Sequence, residues 1–306
     1  MTKSRRPNYV IYAPDFDPDS GGAIFLHQLA HALGQLGEDA SLWPWNVPSR
    51  SDTRKHLRRI IRNPGLLWQK PVGKLLRDPS MQTRIATHKD LRSDTIVVYP
   101  EVTLGNPLQA RKIARWLLYK PGLKDPFQFT ENEMFFRAGE MSDQPEMTGG
   151  AEDLFLWRRN PVYRNENRPE RKGVCYMVRK GHEKERIPET EDPAAICIDG
   201  LSHEEAAEVF NTCQIFYSYD EATLYSQYAA ICGCTSVIVP GFFRDRSEWV
   251  ASHPLGRVGV AYGLDDLDHA RQTRSQVQGV LDAQEQAGLD TVRRFISTTQ
   301  AGFSVA

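Results

Sequence analysis

The sequence predicts an α/β protein of two Rossmann-like domains, each built on a parallel sheet, and three observations carry that expectation. Short β-branched and aromatic runs alternate with segments of helical apolar period, first over residues 9–45 and again over 173–239. A polar stretch between them, Arg158 to Lys172 (RRNPVYRNENRPERK), has two prolines and no apolar periodicity, and so reads as a linker. The chain has 306 residues, which suits two domains at roughly 100–200 residues each. The expected division is 1–160 and 161–306, with the last helix able to pack back on the first domain.

The elements follow in order. Tyr9 to Ala13 (YVIYA) reads as a buried strand, and turn formers fill Pro14 to Gly22 (PDFDPDSGG). Ile24, Phe25, Leu29, Ala30, Leu33 and Leu36 then recur at helical spacing, with Gly37 as the stop. A strand over 40–45 completes the opening of a Rossmann-like unit. Its glycines do not form GxGxxG, so no nicotinamide or flavin site is expected. Asp94 to Tyr99 (DTIVVY) is a second buried strand. Leu108, Ile113, Trp116 and Leu117 fall on a helical period, so residues 106–122 read as a helix closed by Pro121–Gly122. Short strands are expected at 128–130 and 154–157. In the second half, strands over 173–178, 195–198, 215–218 and 236–239 alternate with helices over 202–210 and 224–231. Ser202 and Glu205 form a capping-box pattern for the first of these helices, and Gly233 ends the second. Residues 267–296 read as one or two surface helices.

Composition narrows the function classes. The chain is 40% hydrophobic and 25% charged with a net charge of −1, which fits a globular core and gives no reason to expect a nucleic-acid partner. Five cysteines, all in the second half, point to a reduced, cytoplasmic protein with thiols that pack as small hydrophobes. The N-terminal apolar stretch is only a strand long, unlike a signal peptide, and no window approaches the ~20 apolar residues of a membrane span. One local asymmetry stands out: residues 50–92 hold twelve Lys/Arg against three Asp. There Leu57, Ile60, Ile61, Leu66, Leu67 and Trp68 interleave with Arg54, Lys55, Arg58, Arg59 and Arg62. A basic amphipathic helix of this kind suits the anionic inner face of a membrane or an anionic acceptor, and equally an ordinary solvated surface.

Ligands of parallel sheets bind beyond the carboxyl ends of the strands, where loop amides and helix N-termini meet phosphate. Gly21 and Gly22 would let a ligand approach backbone N–H groups there, or serve a plain tight turn. Arg179, Lys180 and Lys184 follow the first strand of the second half and offer positive charge to a diphosphate without a metal, or form a basic surface turn. Tyr219 to Thr223 (YDEAT) leads into a helix whose first amides, with Thr223, make a neutral anion nest; the alternative is that Asp220 and Glu221 cap that helix. Glu101, at a strand end of the first half, is the acid/base candidate, with turn capping as its plainer role. His27 and His31 are spaced i,i+4 without a third ligand, so neither a metal nor a cofactor is expected. His27 and Asp15 are candidates for contacts to acceptor hydroxyls.

The residues Ser202 to Pro240, above all FYSYDEAT and AAICGCTSVIVP, resemble the donor half of bacterial family-4-like glycosyltransferases of surface-polysaccharide biosynthesis. Tyr99 to Gly122 (YPEVTLGNPLQARKIARWLLYKPG) and SGGAIFLHQLAHAL resemble their acceptor half, so the likeness touches both halves and about a third of the chain. It implies a GT-B fold, parallel sheets facing across a cleft, and transfer of a sugar from a nucleotide-sugar donor to a polysaccharide or lipid-linked glycan. It also implies that Thr223 and its neighbouring amides hold the donor diphosphate, opposite Arg179 and Lys184, with Tyr219, Asp220, Ala222, Leu224 and Gln227 around the nucleotide and sugar. The chain departs from the family at Tyr228, preceded by Gln227, where such enzymes carry a Glu that grips the donor ribose. That departure leaves a second expectation open, a non-catalytic subunit of the same fold that binds nucleotide sugar or a partner enzyme.

Overall fold

A computed structural model describes residues 6–18, 20–47, 70–123 and 126–303, apart from the side chain of Met141. The basic helix expected around Leu57 to Trp68 lies outside the described residues. The chain divides into two compact units, residues 1–158 with 286–306, and residues 159–285. Among the described residues, helices longer than a single turn are α1 (Gly21–Gln35), α2 (His203–Thr212), α3 (Tyr225–Cys232), α4 (Arg246–Ser252), α5 (Leu267–Thr273) and α6 (Val277–Gly302).

The first unit carries a six-stranded parallel sheet in the order β2-β1-β3-β4-β5-β6: β1 Tyr9–Ala13, β2 Ala40–Pro44, β3 Ile96–Pro100, β4 Lys112–Leu117, β5 Met134–Arg137 and β6 Glu152–Asp153. Continuous apolar runs such as Ile96–Val97–Val98–Tyr99, all fully buried, are what a parallel sheet covered on both faces demands. On one face Tyr9, Ile11, Ile96, Val98 and Trp116 meet Leu26, Leu29 and Leu33 of α1; on the other, Val10, Trp43, Val97 and Tyr99 meet Leu108 and Ile113. The end of α6 belongs to this core. Phe295 packs against Phe136 with ring centroids 4.7 Å apart, and the Tyr9 hydroxyl lies 3.0 Å from Thr299 Oγ1. α1 starts at Ser20, whose hydroxyl accepts from the Ala23 amide.

The segment 106–122 differs from the expected helix: its middle, Lys112–Leu117, is strand β4. Ile113 to Leu117 are all buried, and a short apolar run of that kind fits a two-sided strand as well as a helix until its neighbours are known. The expected strands at 128–130 and 154–157 are also displaced, to Met134–Arg137 and Glu152–Asp153.

β4 also buries a charge. Arg115 and Glu133 are both fully buried and pair through Nε–Oε2 and Nη2–Oε1, each 2.7 Å. The other guanidinium N–H groups donate to the carbonyls of Thr103 (2.7 Å), Gly105 (2.8 Å) and Pro100 (3.3 Å), so one side chain fixes the turn that leaves β3.

The second unit holds five parallel strands in the order β11-β10-β9-β7-β8: β7 Val174–Met177, β8 Ile196–Cys197, β9 Ile215–Ser218, β10 Thr235–Ile238 and β11 Val260–Tyr262. Ser202 accepts from the Glu205 amide while Glu205 receives the Ser202 amide, the capping box that starts α2. Gly233, at φ +95°, closes α3 in the left-handed region. Cys175, Cys213, Cys232 and Cys234 are buried and free among Met177, Phe210, Phe216 and Ala229. Both units therefore have the parallel α/β build the sequence predicts, and in each the third strand pairs with the first, which in turn pairs with the second on its other side. Connections leave in opposite directions at that junction, β1/β3 in the first unit and β7/β9 in the second, and such junctions are where α/β sheets take ligands.

Leaving either member of the buried pair alone strands a charge. Glu133→Ala is expected to cost about 3–5 kcal/mol of unfolding free energy in urea titrations.

Candidate functional site

At the β7/β9 junction the chain leaves β7 through a tight turn, Arg179–Gly181, with Arg179 at φ +38°, a strained value for a residue with a side chain. Asp199 Oδ2 holds the turn by accepting the amides of Val178 (3.0 Å) and Arg179 (3.3 Å). Gly181 allows it to close: a Cβ there would lie 2.2 Å from the Tyr219 carbonyl oxygen at the end of β9. The turn leaves Arg179 and Lys180 exposed, with the Arg179 guanidinium 4.8 Å from the ring centroid of Tyr225, the first residue of α3. Thr223 Oγ1 accepts the Tyr225 amide at 3.2 Å, Leu224 is the N-cap position, and Ala222 is exposed. Arg179 and Thr223 thus both meet Tyr225, the residue that opens the positive end of α3.

Other candidate residues lie beneath it. Tyr219 is buried, with its hydroxyl 2.6 Å from Thr190 Oγ1 and accepting the Ile187 amide. Asp220 is buried and accepts the Ala222 amide at 3.0 Å; Gln227 is buried in α3. Lys184 is committed elsewhere: its Nζ pairs with the Glu221 carboxylate and donates to the Val239 carbonyl at 2.6 Å. Tyr228 stacks on Tyr163 at 4.1 Å between ring centroids and accepts the Asn160 amide through its hydroxyl, as part of an aromatic core with Phe210 and Tyr225.

The sequence reading missed Glu221. It does not cap α3; it is 7% exposed and accepts from Lys184, the Phe242 amide (2.8 Å), the Phe243 amide (3.4 Å) and the Tyr262 hydroxyl (3.4 Å). One carboxylate thereby ties the ends of β9, β10 and β11 to the β7 turn. It fixes the backbone at Phe242, whose side chain is 84% exposed just past β10. The sequence signal was present, an aromatic pair directly after Pro240–Gly241 at a strand end.

The β1/β3 junction of the first unit joins the remaining candidates. Gly21 and Gly22 open α1; a Cβ at Gly21 would meet nothing within 4 Å, and one at Gly22 only Leu118 Cδ1 at 3.8 Å. The Leu118 amide donates to Glu101 Oε2 at 2.9 Å, so the start of α1 and Glu101 share one neighbour. Burial pushes the Glu101 carboxyl above its ordinary value, against the amide hydrogen bonds from Leu118 and Tyr119 that pull it down. Asp15 Oδ1 accepts the Leu76 amide at 2.7 Å, and His27, wholly buried, bonds the Pro14 carbonyl through Nε2 at 3.0 Å under the edge of Phe16. Desolvation lowers the His27 pKa, which keeps the ring neutral. Both residues fasten the loop that leads to Gly21. His31 accepts the Gln82 amide instead, and no three His, Cys, Asp or Glu side chains gather to hold a metal among the described residues. Among the same residues, no helix is long and apolar enough to cross a membrane.

A carboxyl with a raised folded pKa binds more protons folded than unfolded, so its contribution falls as pH rises from the ordinary 4.5 through the folded value. Glu101→Gln keeps an acceptor for Leu118, and its stability relative to the parent is expected to improve steadily over that rise in chemical denaturation series; a flat difference would refute the assignment.

No family model matches the chain, and no curated protein does. Solved structures do. The glycotransferase of kitacinnamycin shares 12% identity over 97% of this chain and 96% of its own, with a TM-score of 0.35. T4 phage BGT, solved with UDP and Mn2+, shares 10% over 97% and 98%, TM-score 0.39. The glycosyltransferase SnogD from Streptomyces nogalater shares 10% over 96% and 100%, TM-score 0.38.

Proposed function

We propose that this chain is a glycosyltransferase that moves a sugar from a nucleotide-sugar donor to a polysaccharide or lipid-linked glycan, without a divalent metal or another cofactor. The observation that carries the reading is the convergence of Arg179, held in a strained turn, on Thr223 and the N-terminus of α3 at the β7/β9 junction. Exposed cation, hydroxyl and helix end are complementary to a diphosphate. In this reading Arg179 and Lys180, with the first amides of α3, stabilise the leaving diphosphate, and Ala222 and Leu224 line the approach of the donor. Glu101, whose raised pKa suits proton transfer, is the acid/base group, and the amides of Gly21 and Gly22 are available to an anion beside it. Asp15 and His27 act through the loop they hold rather than by touching the acceptor. The basic stretch at 50–92 would bring the enzyme to an anionic inner membrane face or to its acceptor.

A second reading, a subunit that binds nucleotide sugar without turnover, draws on two observations. Tyr228 stands in the aromatic core where the family's ribose-gripping Glu would be, and Glu221 neutralises Lys184. It is the alternative to be separated by assay.

A thermal-shift panel of UDP, GDP, dTDP, ADP and CMP identifies the nucleotide, since a ligand that binds only the folded state raises apparent stability. Arg179→Ala is then expected to weaken its binding about tenfold or more in calorimetry; unchanged affinity sinks the site. Nucleotide release from donor sugars in the presence of acceptor extract supports transfer, and binding without release supports the subunit.

A further inference from the structure

A cavity of about 660 Å³ lies within the second unit, at the edge of the sheet opposite the Arg179 turn. It forms where α3 ends at Gly233 and the chain enters β10, between the linker residues 159–165 and the α5–α6 junction. Four arginines line it, Arg159, Arg164, Arg271 and Arg274, and no carboxylate does. Two of the four have acidic partners outside the lining: Arg159 with Asp282 and Glu285, and Arg271 with Asp268 at 3.7 Å. Arg274 spends one N–H on the Gly233 carbonyl at 2.8 Å, and Arg171 covers the Cys232 carbonyl, so the negative end of α3 is already countered. Neither of these two guanidiniums meets a carboxylate among the described residues.

One observation goes beyond a basic surface. Arg159 Nη1 is buried and meets no acceptor among the described residues, a costly state for a charged donor. Arg164 is exposed on the cavity wall and makes no side-chain hydrogen bond or ion pair among those residues, so its guanidinium is open to a ligand. The remaining wall, with Pro161, Tyr163, Ile231 and Val277, gives an organic body something to rest on, and the volume falls within the ~300–1,000 Å³ range of small-molecule sites. Guanidinium forks present paired donors that match phosphate oxygens.

We propose that this cavity is a second anion site, which takes a phosphate-bearing small molecule or headgroup independently of the proposed donor site. Inorganic pyrophosphate is the probe, titrated calorimetrically into the full chain carrying Arg179→Ala, so that the other edge of the sheet contributes least. Binding there is expected to weaken by about tenfold or more on adding Arg164→Glu, and measurably on adding Arg164→Ala. Arg164→Ala removes no hydrogen bond from the fold, so it reports even if the charge reversal destabilises the chain. Equal affinity in all three proteins overturns the proposal. A flotation arm with phosphatidic-acid vesicles separates the sources. Flotation that Arg164→Glu abolishes, without pyrophosphate binding, assigns the phosphate to a lipid headgroup; the converse assigns it to a soluble ligand. The absence of both flotation and pyrophosphate binding overturns the site.

Discussion

Much of the first unit hangs on one interaction, the buried pair of Arg115 and Glu133. A guanidinium with no solvent exposure is tolerable only when nearly every N–H finds an acceptor, and Arg115 meets that condition by taking three carbonyls from the turn after β3 besides its carboxylate. The consequence is geometric. β3 and β4 are adjacent parallel strands joined by an irregular connection, and such a connection has no helix to stiffen it. The charge substitutes for the helix. Glu101 stands one residue past β3 in the turn so fixed, and its carboxylate reaches the Leu118 amide at the end of β4. The candidate acid/base group is thus positioned by a residue outside the site.

Glu221 plays the corresponding part in the second unit, with the opposite sign. Its position is set by Lys184 and by amides past β10, so the loops of four strands share one anchor. The arrangement divides labour among the basic residues of the β7 turn. Lys184 is drawn inward to neutralise the anchor, which leaves Arg179 and Lys180 outward. Three cations within six residues therefore do two different jobs, and only burial tells them apart.

That division explains what the sequence could and could not reveal. Four of the five strands and both longer helices of the Rossmann core in the second unit were legible, because short β-branched and aromatic runs, the Ser202–Glu205 box and Gly233 act locally; the three-residue β11 was too short to stand out. β4 was misread as a helix because Ile113, Trp116 and Leu117 fit either period; the deciding fact, burial of Arg115 between two strands, is tertiary. The candidate residues Arg179 and Thr223, named for their places at strand ends, each meet Tyr225 at the start of α3. Tyr219, Asp220, Gln227 and His27 were named for chemistry their side chains share with structural roles, and composition carries no sign of which way a side chain points. Glu221 was missed for the same reason, its four partners being spread from residue 184 to residue 262.

The helix α6 begins in the second unit, and from Gln286 onward it belongs to the first. Val292 and Phe295 complete a core whose other buried members lie before residue 157, and Thr299 meets the Tyr9 hydroxyl beside them. During synthesis from the N-terminus, the second unit has all its strands before those last side chains leave the ribosome. The unit that is begun first is therefore the one that closes last. Until it does, the apolar face around Tyr9 and Phe136 lacks the cover that Phe295 gives it, which leaves it more open to wrong partners.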